Sequence, residues 1–212
     1  LCGDQPIDMT LMRTVEDFLN VTGAPFYSDH LSFSQVQDVL LDLYMCPAFT
    51  EEMLTWAEFR VTEVVRATGS TFLMENVGAL FRFRSGCYSE SKFIQRLTDK
   101  TDVGLMLNLD SIAISAATYR RDPVEYLLEF PLDRALTISV VPESCMNPIM
   151  RQRFGSNMDS VLWKLLDVAL ARSPASLVTL QRRNGNSLAS LANELSVIRG
   201  VYSDHRKIRS CH

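Results

Sequence analysis

The sequence of 212 residues lacks an apolar run long enough to cross a membrane, a basic-then-apolar signal segment at its start, and a strong excess of either charge. The formal net charge is only -4, which argues against nucleic acid or any other partner recognised mainly by electrostatics. We therefore predict a cytoplasmic protein with no membrane partner and no nucleic-acid partner.

The cysteines also lack the spacing of a zinc site. They are odd in number and widely separated, and no two of them form a CxxC or CxxH pair. This distribution is typical of reduced thiols in a cytoplasmic protein, not of a disulfide framework. The five residues are Cys2, Cys46, Cys87, Cys145 and Cys211.

Apolar residues make up 47% of the chain, which is enough for one sizeable core. We predict a single domain over residues 1–204, followed by a mobile basic tail over residues 205–212. The chain opens at Leu1 without a methionine and enters a helical pattern almost at once. We therefore expect it to be the later part of a longer protein.

Helical patterns alternate with short apolar runs, which predicts an α/β fold with a parallel sheet and right-handed crossovers. Asp8, Thr50 and Ser89 are suited to cap the first three helices. Five strand–helix units can be counted, whereas a closed β/α barrel needs eight. The sheet could be open, or three strands could precede this sequence, and periodicity does not choose between them. The first predicted strand ends at His30. The other four cover residues 70–77, 103–112, 135–141 and 176–181.

Polar side chains close three of these apolar runs. His30 ends the first strand, Glu75 and Asn76 end the second, and Asn108 and Asp110 end the third. The carboxyl ends of parallel strands meet at one face of a sheet, and in a β/α barrel that face carries the active site. We therefore expect these side chains to converge.

Four short motifs follow one another along the chain. They are SDHLSF at residues 28–33, MENV at 74–77, GLML at 104–107, and DP with YL within residues 122–127. In order and spacing, these motifs resemble those of the multinuclear non-haem-iron oxidases, of the methanobactin-biosynthesis type, that modify cysteines of ribosomally made peptides. The resemblance implies a xylose-isomerase-like (β/α)8 TIM-type barrel of which about five units are present and the first three strands are largely missing.

The family's metal ligands carry over only in part. His30 and Glu75 match, and Asp110 lies two residues from the family position, which keeps its side chain on the same face of a strand. The resemblance places two histidines at Ser139 and Glu143, and an Asp-x-His-x-His cluster at the loop positions 152–156. There the chain has Gln152, Phe154 and Ser156.

The acid pair that the family carries on its last strand is replaced here by Arg182 and Asn184. The remaining candidate metal ligands are His30, Glu75 and Asp110. The candidates for substrate binding or for orienting a ligand are Asp29, Asn76, Asn108, Glu143, Arg182 and Asn184. An ion pair between Glu75 and Arg182 would suit a barrel that had exchanged its metal for a guanidinium.

Iron needs at least three imidazole or carboxylate ligands with open positions, so this set supports one weak mononuclear site and no cluster. We expect a non-catalytic barrel, a pseudoenzyme, that binds a ribosomally made peptide or a small partner protein, with iron reduced or absent. The first alternative is an active iron-dependent oxidoreductase whose missing ligands come from upstream or from a partner. A weaker alternative is a mononuclear metal-dependent hydrolase or isomerase.

Overall fold

The computed structural model describes residues 1–84, 86–141, 158–181 and 188–209. The first half contains α1 (Met9–Thr22), β1 (Tyr27–His30), β2 (Phe33–Val36), β3 (Val39–Met45), α2 (Glu51–Thr68), β4 (Phe72–Glu75) and α3 (Glu90–Thr101). The second half contains β5 (Gly104–Asn108), α4 (Leu109–Tyr119), α5 (Pro123–Leu128), β6 (Ala135–Val140), α6 (Met158–Arg172), β7 (Leu177–Leu180) and α7 (Leu188–Arg209).

The predicted parallel sheet is confirmed. Its strand order among the described residues is β1-β4-β5-β6-β7, and every neighbouring pair is parallel. Each strand of this sheet therefore lies beside the next one along the chain, without a reversal of order. The described helices pack against one another in nearly the same sequence, α1 on α2, α2 on α3, α5 on α6 and α6 on α7.

The predicted helix starts are also confirmed. The Asp8 carboxylate accepts from the backbone N–H groups of Thr10 and Leu11, at 2.8 and 3.1 Å. The hydroxyls of Thr50 and Ser89 each accept a backbone N–H three residues further on, both at 3.2 Å. These acceptors satisfy N–H groups that have no partner inside the helix, which is why such residues favour this position.

The prediction that a strand extends to Ile112 is wrong beyond Asn108. Residues Leu109–Tyr119 form α4, and the Asn108 side chain caps it by accepting the backbone N–H of Ser111 at 2.9 Å. An asparagine after an apolar run serves equally well as a strand end and as a helix cap. The residues that follow are buried on nearly every side of the helix, at Leu109 and from Ser111 to Ala116, so they show no helical periodicity that would separate it from a buried strand.

Two further differences concern elements outside the predicted alternation. The antiparallel hairpin of β2 and β3 was not predicted. The last helix extends to Arg209 and so includes residues 205–209, which were predicted to belong to a mobile tail. Residues 210–212 lie outside the described part of the chain.

The core lies between the sheet and the helices. Fully buried side chains come from β4 and from the inner faces of α2, α3 and α6, and include Leu73, Met74, Leu54, Val61, Phe93, Leu97, Leu162 and Leu166. Over the described residues, none of the helices is long and apolar enough to span a bilayer.

Candidate functional site

The carboxyl ends of the first strands of the sheet bring polar side chains together. His30 on β1 is the register partner of Glu75 on β4, and Glu75 is the partner of Met106 on β5. Asn108 lies two residues after Met106, so its side chain points to the same face. The predicted convergence of the His30, Glu75 and Asn108 side chains is thus confirmed, and parallel register is its cause.

Glu75 is the centre of this strand-end cluster. Its side chain is almost fully buried; one carboxylate oxygen lies 3.5 Å from Nε2 of His30 and the other accepts from Nδ2 of Asn108 at 2.9 Å. A buried carboxylate is costly unless protein groups bind it, so these two partners explain how the residue is tolerated.

Asn76 fixes the position of Asn108. Its side-chain amide donates to the Asn108 carbonyl at 3.1 Å, and its side-chain carbonyl accepts the Asn108 backbone N–H at 2.8 Å. Asn108 in turn bonds Glu75 and caps α4. The two asparagines therefore tie the ends of β4 and β5 to the start of the next helix, which leaves them little freedom to bind a ligand directly.

Asp110 occupies the first turn of α4 instead of a strand end. One of its carboxylate oxygens, Oδ1, is buried and has no hydrogen-bond partner among the described residues. Burial raises the pKa of Asp110 to about 7, and the nearby Glu75 carboxylate adds to that rise. The neutral acid and the carboxylate are thus both accessible to Asp110 near neutral pH.

Ser139 stands where the family resemblance places a histidine. It is the register partner of Asn108 on β6, is fully buried, and its hydroxyl has no hydrogen-bond partner in the described part of the chain. A hydroxyl is a poor substitute for imidazole as a ligand of a transition metal. The substitution thus places a weak donor at the strand end next to the Glu75 cluster.

Asp29 lies against His30, and its Oδ1 is 4.0 Å from Nδ1 of the imidazole. Its side chain is 56% exposed and accepts the backbone N–H of His30 at 2.7 Å. The predicted site residues Glu143, Arg182 and Asn184 lie outside the described residues. The predicted ion pair between Glu75 and Arg182 therefore stays a prediction.

Tyr44 is a member of the site that the sequence did not indicate. Its ring stacks on the imidazole of His30 with the centroids 4.3 Å apart and the planes 14° from parallel. Tyr44 belongs to β3 of the unpredicted hairpin, so no strand-end pattern pointed to it. The hairpin thereby covers one side of the imidazole and holds its orientation.

The donor set of this site can be tested against an iron centre. In the described ranges, no group of three or more His, Cys, Asp or Glu side chains is arranged to hold a metal ion. His30 and Glu75 supply two donors, and Glu75 already accepts from Asn108. The described residues therefore do not fit the three-ligand set that a bound iron requires.

Comparisons with known proteins agree over nearly the whole chain. The profile of the family described as RiPP precursor modification enzyme MbnB/TglH/ChrH matches residues 1–203; RiPP denotes a ribosomally synthesised and post-translationally modified peptide. A UPF0276 protein of Neisseria meningitidis serogroup C is 27% identical over 188 residues, which is 88% of this chain and 67% of that protein.

Two other relatives show a similar identity over longer and shorter stretches of the chain. A UPF0276 protein of Shewanella oneidensis is 25% identical over 209 residues, covering 97% of this chain and 73% of the relative. One from Acaryochloris marina is 25% identical over 168 residues, covering 79% of this chain and 60% of the relative. The match thus spans between three fifths and three quarters of the length of these proteins.

Proposed function

Because this chain belongs to the MbnB/TglH/ChrH family of RiPP precursor modification enzymes, we propose that it is a divergent member that binds a ribosomally made peptide at its strand ends without iron chemistry of its own. The observation that supports the proposal is the set of contacts that the Glu75 carboxylate makes. This matched ligand position is engaged by an asparagine amide and lies against a single imidazole. No third imidazole or carboxylate among the described residues completes a metal site with them.

We also propose that the five-stranded sheet is part of an eight-stranded β/α barrel. An open doubly wound sheet reverses its strand order at a switch point, where its ligand binds. Here each strand of the sheet pairs with the next one in chain order, which is the winding of a barrel. In a barrel the strand ends face a common opening, which suits the placement of a peptide beside His30.

The surface at the strand ends suits a peptide. His30 is partly exposed, Ser28 and Asp29 beside it are exposed, and the Ser28 hydroxyl lies 3.2 Å from the Met106 sulfur. An extended peptide presents backbone N–H and C=O groups in nearly every residue, so the mixed donors and acceptors at the strand ends can bind it without a metal. A cytoplasmic location follows from this proposal, because precursor peptides are made by ribosomes there.

Metal loading tests the proposal directly. The purified chain is incubated with ferrous iron without oxygen, desalted and analysed by elemental mass spectrometry. We expect clearly less than about one iron per chain, because fewer than three suitable ligands converge. Recovery of roughly two or more irons per chain, with oxygen consumption on adding a cysteine-containing precursor peptide, would refute the non-catalytic assignment and establish the active oxidase instead.

Peptide binding is the second test of the proposal. A fluorescently labelled, cysteine-containing precursor peptide is titrated with the chain and followed by anisotropy. His30→Ala is expected to weaken binding by about tenfold, because it removes both a donor and a flat surface from the strand ends. The matched control is His205→Ala, which removes an imidazole paired with Asp167 at 2.8 Å on another part of the molecule. Equal affinities for the two variants would place the peptide elsewhere.

A further inference from the structure

One cavity is lined by residues that do not belong to the strand-end cluster. Its volume is about 280 Å³, near the lower end of the range for small-molecule sites and too small for a folded partner. It lies between the start of α3 and the connection from α4 to α5. The lining residues are Arg82, Tyr88, Ser89, Glu90, Tyr119, Arg121 and Tyr126.

Two guanidinium groups and two phenol rings of the lining contact one another. The Arg82 Cζ lies 5.2 Å from the Tyr119 ring centroid, and the Arg121 Cζ lies 5.8 Å from that of Tyr126. The centroids of the two rings are 6.0 Å apart and their planes are 21° from parallel. Cation–π contacts with the rings hold both guanidinium groups in place.

The two arginines differ in charge compensation. Arg121 is paired with Glu129 at 2.7 Å. Arg82 donates its Nε–H to the Thr118 carbonyl at 3.3 Å, and no carboxylate in the described part of the chain pairs with it. Its two terminal NH₂ groups are the planar fork that matches a carboxylate.

Glu90 forms the inner wall. Its side chain is buried and accepts from the Tyr126 hydroxyl at 2.7 Å. Burial raises the pKa of Glu90 to about 7, so this carboxyl adds less negative charge than an exposed one near neutral pH. With Arg121 neutralised by Glu129, the cavity keeps the positive charge of Arg82.

We propose that this cavity binds a small monocarboxylate with an aromatic body, whose carboxylate pairs with Arg82 while its ring lies against the tyrosines. One uncompensated guanidinium matches one negative charge. A dianion such as a phosphate monoester would carry a second negative charge for which the lining offers no second unpaired guanidinium, because Arg121 is already paired with Glu129. The tyrosine rings of the lining offer contact to an apolar body, and the volume of about 280 Å³ accommodates a small aromatic acid.

The test uses 4-fluorobenzoate as the probe, observed by fluorine NMR in titrations with the purified chain. Arg82→Gln is expected to weaken binding at least about tenfold, because it removes a charge-assisted pair. Arg84→Gln, a neighbouring exposed arginine that does not line the cavity, is the matched control and should bind the probe like the parent. Circular dichroism of the variants verifies that both remain folded.

Two further ligands sharpen the result. The neutral isostere 4-fluorobenzamide should bind at least about tenfold more weakly than the acid, and 4-fluorophenyl phosphate should also bind more weakly than the acid. The proposal is overturned if the acid does not bind at millimolar concentration, if Arg82→Gln leaves its affinity unchanged, or if the amide or the phosphate binds as well as the acid.

Discussion

Two glutamates in this molecule are equally buried, each with 3% of its surface exposed, yet they lie in different surroundings. Glu75 ends a strand and accepts from an asparagine amide beside an imidazole. Glu90 begins α3 and accepts from a tyrosine hydroxyl inside the layer of helices, where burial raises its pKa to about 7. Equal burial therefore does not give equal chemistry; the donors around the carboxyl decide what it can do.

The two glutamates also contact different parts of the molecule. Asn108 joins Glu75 to β4, β5 and α4, so that cluster supports the backbone at the strand ends. Glu90 is held by Tyr126 and the Ser115 hydroxyl, which come from α5 and α4. The first glutamate thus stabilises the sheet, and the second lies beside the cavity between helices.

The largest effect is expected from Asn108→Ala. It leaves the buried Glu75 without its amide donor and removes the cap of α4, which together should lower the free energy of unfolding by about 3 to 4 kcal/mol. Urea denaturation measures the change. Asn20→Ala on the exposed face of α1 is the matched control and should stay within about 0.5 kcal/mol of the parent. A loss below about 1 kcal/mol for Asn108→Ala would show that Glu75 does not depend on this amide.

The second-largest effect on stability is expected from Glu90→Gln, and it depends on pH. The folded-state pKa of Glu90 is raised from 4.5 to about 7, so the unfolded chain loses this proton first as the pH rises. The parent is therefore destabilised progressively between about pH 4.5 and 7, by about 2 to 3 kcal/mol in total. The variant lacks that penalty, so its stability relative to the parent should rise over this window and level off above pH 7.

Denaturation at several values between pH 4.5 and 8 measures that trend. Glu125→Gln, an exposed glutamate in the first turn of α5, is the control and should show no comparable trend. A constant difference between Glu90→Gln and the parent across the window would contradict the proposed effect of burial.

A smaller effect of the same sign is expected from Asp110→Asn. Burial, with a contribution from the Glu75 charge, raises the pKa of Asp110 from 3.8 to about 7. Because the residue is only partly buried as a whole, the gain at pH 8 relative to pH 4 should be about 1 to 2 kcal/mol. Thermal unfolding at the two pH values measures it. If Glu75→Gln halves this gain, the two carboxyls are coupled; an unchanged gain would show that burial alone acts.

The smallest expected effect belongs to His30→Ala. The imidazole is at the rim of the cluster, with 30% of its side chain exposed, and it contacts Glu75 at 3.5 Å and the Tyr44 ring. Its loss should cost about 0.5 to 1 kcal/mol in urea denaturation. A cost as large as that of Asn108→Ala would mean that the imidazole, and not the amide, is the main partner of Glu75.

Much of the fold could be predicted because its signals are local. The caps at Asp8, Thr50 and Ser89 are satisfied by backbone groups two or three residues away, and the apolar runs of the sheet show in a few consecutive residues. The hairpin of β2 and β3 was missed because its apolar residues do not alternate regularly along the chain: Val36, Val39 and Leu40 are exposed, while Phe33 packs against the core. Asn108 was ambiguous because one side chain serves a strand end and a helix start.

The site was predicted in part for the same reason. That His30 and Glu75 meet followed from polar residues closing parallel strands, while their role as metal ligands stays a prediction. Tyr44 and Glu90 carried no comparable signal. Tyr44 reaches His30 only through the hairpin, and Glu90 resembles any acid in the first turn of a helix.

By itself the sequence determined the alternation of strands and helices, the helix starts and the membership of a peptide-modifying family, because these depend on periodicity, on hydrogen bonds between near neighbours and on residue order. Only the tertiary structure decided which polar groups meet. The pairing of Glu75 with Asn108 and of Glu90 with Tyr126 joins residues 33 and 36 positions apart. Such contacts depend on strand register and helix packing, which residue order encodes only through the whole fold.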